Sequence, residues 1–118
     1  MLALAACGGG GAADTEQVVR DFSKAMNESD GKRLCEELVT QEFVEQITLA
    51  RGDSAREQCK DQVKALKTRT FKIVKITSTK VKGDTATVTA EIEQQGQRRP
   101  QVFRLKKEDG DFRLTSAQ

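Results

Sequence analysis

From Thr85 to Ile92 the sequence alternates without a fault: Ala86, Val88, Ala90 and Ile92 share one parity, and three threonines and Glu91 hold the other. A period of two over this length describes a half-buried strand, apolar side to a core and polar side to water. Lys82-Gly83-Asp84 before it is a turn signal, and a second β-rich run begins at Thr70. In that run Phe71 and Ile73 share one parity, whereas Val74 and Ile76 take the other. A β-bulge reconciles the two sets, and bulges bend a strand and raise its twist. The spacing therefore predicts a curved hairpin over Thr70 to Ile92 whose apolar side needs a cover.

The cover is expected from the residues before it. Val18, Val19, Phe22, Ala25 and Met26 recur at helical spacing with Arg20, Asp21 and Lys24 opposite, which predicts an amphipathic helix capped by Asp14 or Thr15. Ser29-Asp30-Gly31 ends it, and Asp30 is placed to cap a short second piece through Leu34, Cys35 and Leu38. Thr40 precedes a brief amphipathic turn or two through Phe43, Val44 and Ile47. Asp53 or Ser54 is expected to cap a third helix, to about Lys67, with Ala55, Cys59, Gln62, Val63 and Leu66 on its narrow apolar face. Arg51-Gly52-Asp53 is read as that helix start and not as an adhesion tripeptide.

After the hairpin, Gln95-Gly96-Gln97 and Glu108-Asp109-Gly110-Asp111 are turn signals. They delimit a third strand with Phe103 and Leu105 inward, and a fourth with Phe112 and Leu114 inward. Pro100 places the start of the third strand at an edge. The fold class expected is α+β: three N-terminal helical segments packed on a curved antiparallel sheet of about four strands.

Composition narrows the chemistry. The chain has no His, Tyr or Trp, so imidazole and phenol catalysis and indole stacking are absent. No nucleophile stands with a base, no glycine-rich phosphate loop is followed by Lys-Ser or Lys-Thr, and the acids fall at solvent-facing positions. The reading is of no catalytic residue, no cofactor and no metal. Charge is uneven: Asp14 to Leu66 carries twelve acids against eight bases, and Lys67 to Gln118 twelve bases against six acids. Arg98, Arg99, Arg104, Lys106 and Lys107 are the candidate anion-binding surface, although solvated faces also account for such a bias. Exposed aromatics do not interleave these bases, so nucleic acid is not expected.

At the N-terminus Leu4-Ala5-Ala6-Cys7-Gly8 resembles the lipobox of bacterial lipoproteins, in which the cysteine is acylated and becomes the first residue. The resemblance implies residues 1–6 as the remnant of a lipoprotein signal peptide, Cys7 as the lipidated residue, residues 7–13 as a Gly-rich tether, and residues 14–118 as the domain. The apolar segment is short and lacks a basic stretch before it, so a longer signal peptide is expected. The implied location is the outer face of the bacterial cell membrane, with the membrane itself a partner. With Cys7 assigned to lipid, Cys35 and Cys59 remain as an even pair in an exported chain, and a structural disulfide is expected.

Three helical pieces, the Lys82-Gly83-Asp84-Thr85-Ala86-Thr87-Val88 hairpin, and Lys107-Glu108-Asp109-Gly110-Asp111-Phe112-Arg113-Leu114 near the end resemble the nuclear transport factor 2-like superfamily. The likeness is nearest to its small bacterial lipoproteins of unknown function, including actinobacterial members. In that group the end of the chain often reads Asp-Gly-x-Trp-x-Ile; Phe112 and Leu114 stand at those places here. The resemblance implies a cone-shaped roll with a pocket at its open end, near Phe22, Met26, Phe43, Ile47 and Val88, each of which also suits ordinary core. The function expected is a non-enzymatic lipid-anchored envelope domain that binds a small apolar ligand or another envelope protein. Two alternatives are a pocket enzyme of the ketosteroid isomerase or polyketide cyclase type and an electrostatic binder of anionic headgroups or cell-wall polymers. The oligomeric state is open, a dimer included.

Overall fold

The computed structural model describes residues 11–65 and 71–117. Residues 1–6, expected as a signal-peptide remnant, Cys7, most of the glycine run, and Leu66 and Lys67 lie outside the described residues. Helix α1 spans Ala12–Asn27 and buries Thr15, Val19, Phe22, Ser23 and Ala25, three residues of the stripe read from the sequence and two hydroxyl residues, while Val18 and Met26 are half-buried against the core. It starts before the expected cap, because Ala12 and Ala13 favour helix and Thr15 turns its hydroxyl back to the Ala12 carbonyl at 2.8 Å. Asp30 caps α2 (Gly31–Arg33) by accepting from the Arg33 amide at 3.2 Å. The helix then widens into a π-helical turn, Leu34–Leu38, which buries Leu34, Cys35 and Leu38.

The brief segment after Thr40 is a full helix, α3 (Gln41–Thr48), in which the Thr40 hydroxyl accepts from the Phe43 amide at 3.1 Å. Helix α4 spans Gly52–Ala65. Asp53 and Ser54 lie inside its first turn and not at its cap, since the Gly52 amide is already satisfied by Glu45 Oε2 at 3.0 Å. Ala55, Cys59 and Val63 form its buried face, while Gln62 is exposed. Cys35 and Cys59 are joined by a disulfide that ties the π-helical turn to α4.

Strands β1 (Lys72–Lys82), β2 (Thr85–Gln94), β3 (Gln97–Glu108) and β4 (Asp111–Ala117) form one antiparallel sheet in chain order. Two-residue turns at Gln95-Gly96 and Asp109-Gly110 have both residues at positive φ, the geometry that matches strand twist. The register of β1 against β2 shifts twice, once between Ile73 and Lys75 and once between Ile76 and Ser78. Each shift restores phase. Ile73, Ile76, Thr79 and Val81 lie opposite Ile92, Ala90, Val88 and Ala86, the four inward residues of β2. The bulge expected near Val74 is therefore present, and a second at Thr77 accompanies it.

The bent, unclosed sheet holds α1 on its inner side. The orientation of α1 is fixed at both ends. Glu16 in its first half accepts from the Thr79 hydroxyl at 2.8 Å, near the β1–β2 turn. Ser23 and Asn27 donate to the Phe71 carbonyl at 2.9 and 3.1 Å, at the start of β1. On the far side, β4 pairs with β3 only from Phe103 onward, so Pro100 sits on a stretch with one neighbour, as its missing amide requires. The other edge of β4 is partly covered by Val39 and by the Thr40 amide on the Leu114 carbonyl at 2.9 Å.

Candidate functional site

The inner side of the sheet is packed. Phe22 lies 6.1 Å from Phe71 and 6.5 Å from Phe103, centroid to centroid, and these rings fill the hollow with Val19, Val88, Leu105 and Leu114. Of the five residues expected at a pocket, Phe22 and Val88 are core. Met26 and Phe43 are half-buried against it, and Ile47 on α3 is 42% exposed. Four of the five thus belong to one core or pack on it, and none of the five lines the four surface clefts described among these residues. Apolar spacing identifies an inward face; it carries no signal for whether neighbouring side chains leave room there.

The largest of those clefts opens elsewhere, between the first half of α1, the π-helical turn and the β3–β4 turn, with a volume of about 480 Å³. Its floor is apolar, made by Val18, Leu38 and Phe112, and its rim is charged. Asp21 is paired with Arg33 across it at 3.1 Å, and Glu37 and Asp111 are exposed on it. Arg113 forms part of the wall. Its Nη1 donates to the Glu36 carbonyl at 3.0 Å and to Glu108 Oε1 at 3.3 Å, while its buried Nε has no partner among the described residues. Glu108 in turn faces Arg56 at 3.6 Å and accepts from the Gln41 amide at 3.0 Å. One carboxylate thus gathers α3, α4 and β4 behind the cleft.

The five bases read as one surface divide between two. Alternation along β3 puts Arg99 and Lys107 on the parity of Phe103 and Leu105, and Arg98, Arg104 and Lys106 on the opposite face. Arg99 donates to Gln101 and Gln94 at 2.7 and 3.2 Å, and Lys107 lies 5.4 Å above the Phe112 ring. Among the described residues the outer three make no such contact.

Among the described residues, the titratable groups whose ordinary values are disturbed are held in their charged forms. A hydrogen bond from Lys60 lowers the Glu36 carboxyl, and the same bond raises the Lys60 ammonium. Gln41 and the Gly52 amide lower Glu45. The buried polar residues among those described are Thr15, Ser23, Thr40, Thr48 and Gln101, none ionisable. A proton donor of the pocket-enzyme type needs a carboxyl held neutral by burial, and this set contains no such group. Among the described residues no three His, Cys, Asp or Glu cluster as metal ligands, and no helix is long and apolar enough to cross a membrane.

A long first helix in the hollow of a bent four-stranded sheet, with shorter helices and a disulfide at one side, is the nuclear transport factor 2-like α+β fold. The chain belongs to the family described as Domain of unknown function (DUF4878), whose sequence profile matches residues 5–115. Curated proteins give no match. Among solved structures, the chain is similar to an NTF2-like protein of Campylobacter jejuni described as a candidate transpeptidase. That match has 13% identity and a TM-score of 0.58, and covers 87% of this chain and 98% of the other. It is also similar to an NTF2-like protein of unknown function from Cytophaga hutchinsonii, at 17% identity and a TM-score of 0.52, covering 87% and 85%. A phospholipid-binding protein of Ralstonia solanacearum, solved with a phospholipid, matches at 12% identity and a TM-score of 0.51, covering 91% and 76%.

Proposed function

We propose that this protein is a non-enzymatic domain, anchored to the outer face of a bacterial membrane by lipid on Cys7, that holds a small amphipathic ligand in the α1–β4 cleft. The observation that carries the reading is the cleft itself: an apolar floor of Val18, Leu38 and Phe112 under a charged rim, within the size range of small-molecule sites. Such a site takes an apolar chain on its floor and a polar head at its rim. The phospholipid-binding neighbour supports this ligand class. A filled hollow and partner-held charges favour binding over proton-transfer chemistry.

Native mass spectrometry of protein extracted from its membrane in mild detergent tests the ligand. The chain should carry an amphipathic adduct that Val18→Trp removes by occupying the floor of the cleft. A bare mass for the parent protein, or an adduct unchanged in Val18→Trp, overturns the reading. The anchor has its own test: Cys7→Ser should move the protein to the soluble fraction, and undiminished membrane association of that variant is the contrary result.

A further inference from the structure

The outer face of the sheet sorts its charges along β2. Glu93 lies between Lys72 and Arg98, and Glu91 is opposite Lys75, so bases at that end stand beside acids. At the other end Thr87 lies between Lys80 and Arg104, and Thr85 between Lys82 and Lys106. All four bases are exposed, and none has an ion pair or side-chain hydrogen bond among the described residues. Strand spacing puts them within a patch about 10 Å wide and about 7 Å long, where like charges repel. Asp84 in the β1–β2 turn adjoins the patch in sequence but pairs with none of the four. Lysines on an edge strand have an ordinary use in deterring strand pairing, which accounts for Lys80 and Lys82. It does not account for Arg104 and Lys106, because that part of β3 has a strand on both sides.

The patch lies at one end of the molecule, and α1 shows what else is there. With Glu16 bonded to Thr79 and Ser23 and Asn27 bonded to Phe71, α1 runs antiparallel to β1, and its N-terminus lies toward the β1–β2 turn. Cys7 precedes Ala12 by five residues, a span of at most about 18 Å when extended. Acyl chains on Cys7 would therefore hold a bilayer close to this end. We propose that Lys80, Lys82, Arg104 and Lys106 form a docking face for anionic phospholipid headgroups of the membrane that carries the anchor. The face sets the domain down with the β1–β2 turn toward the bilayer, and this inference rests on the anchored reading. The threonine hydroxyls at Thr85 and Thr87 stand between the bases on the same face. Each base near an anionic surface contributes about a fivefold gain in affinity, lost as salt screens it.

The test uses the full chain with Cys7→Ser, so that the face is read without the anchor, whose own failure would appear only in the fractionation experiment above. Cosedimentation with vesicles of phosphatidylcholine and phosphatidylglycerol should exceed that with phosphatidylcholine alone and fall steeply with salt. The variant K80Q/K82Q/R104Q/K106Q should bind at least about a hundredfold more weakly. K72Q/K75Q/R98Q, which removes bases beside Glu91 and Glu93, should stay within about threefold of the parent. Circular dichroism should show both variants folded. Four outcomes overturn the proposal: equal binding to neutral and anionic vesicles, parental binding by the fourfold variant, equal loss in the threefold variant, or binding of soluble polyglutamate but not of vesicles. A salt-sensitive dimer abolished by the fourfold substitution would assign the face to a second copy and overturn it as well.

Discussion

Arg113 on β4 donates to the main-chain carbonyl of Glu36, 77 residues earlier, at 3.0 Å. The same nitrogen reaches Glu108, and Glu108 also faces Arg56, so the end of the chain is fastened to the helical layer through one carboxylate. Removing that carboxylate leaves one guanidinium 15% exposed and another 21% exposed with their charge uncompensated. Glu108→Ala is expected to cost about 2 kcal/mol, read as a lower urea midpoint at unchanged slope. Glu91→Ala, on the outer face of the sheet, should stay within about 0.5 kcal/mol of the parent.

The Cys35–Cys59 disulfide closes a loop of 24 residues in sequence, with both side chains fully buried. In the chain-entropy account a loop of this length stabilises by about 3 kcal/mol. C35A/C59A should therefore lower Tm by more than 10 °C, at about 4–8 °C per kcal/mol for a domain near this size. Neither sulfur should react with an alkylating reagent in native, non-reduced protein.

Gly31 permits α2 to lie against α4. A Cβ there would stand 3.0 Å from the Lys60 carbonyl oxygen and 3.1 Å from its Cα, both backbone atoms that cannot swing aside. Gly31→Ala is expected to destabilise by about 1–3 kcal/mol through overpacking, although alanine is the better helix former. Calorimetry of the two proteins separates these opposed effects by sign.

Glu45 makes the acid limb of stability predictable. Its carboxyl is held below the ordinary range, first by the Gln41 side chain and then by the Gly52 amide. A group lowered in the folded state contributes stability above its unfolded value, and that contribution is lost as pH falls through the folded value. Glu45→Gln should accordingly reduce stability at neutral pH and narrow its difference from the parent as the solution is acidified. A constant difference from neutral pH down to pH 3 would contradict the assignment.

Leu49 closes α3 at φ 61°, in the left-handed region, with its side chain 91% exposed. The conformation is unfavourable for leucine, and burial returns little. Leu49→Gly relieves the strain at some entropic cost and is expected to stabilise by about 0.5 kcal/mol, measurable as a raised urea midpoint.

The reach of the sequence is uneven for physical reasons. Strand β2 was plain because alternation and burial report the same thing, and the conflict of parity around Ile73 and Val74 exposed a bulge. The second bulge, at Thr77, falls among polar residues, and its mark is fainter: the odd parity of Val81 against the even parity of Ile76, five residues apart. Asp30 was readable as a cap because the bond it makes is three residues long. Glu108, Arg56 and Arg113 could not be linked in advance, since their encounter depends on how the sheet places distant turns. The cleft was hidden for a related reason: Val18, Leu38 and Phe112 look like any other apolar positions until the packing shows which is left partly uncovered. By contrast, the division of Arg98 from Arg99 followed from parity alone, and reading the cluster as a sum of charges concealed it.

The two register shifts in β1 also affect what neighbours can do. An edge strand with an even row of amides and carbonyls is a template on which another chain can add. In β1 the row is interrupted at Val74 and Thr77 and carries Lys72, Lys75, Lys80 and Lys82 along its length. Copies that meet at high local concentration are exposed to edge-to-edge fusion of their sheets. The bends that wrap this sheet around its helix thus also keep adjacent copies from continuing one another's sheets.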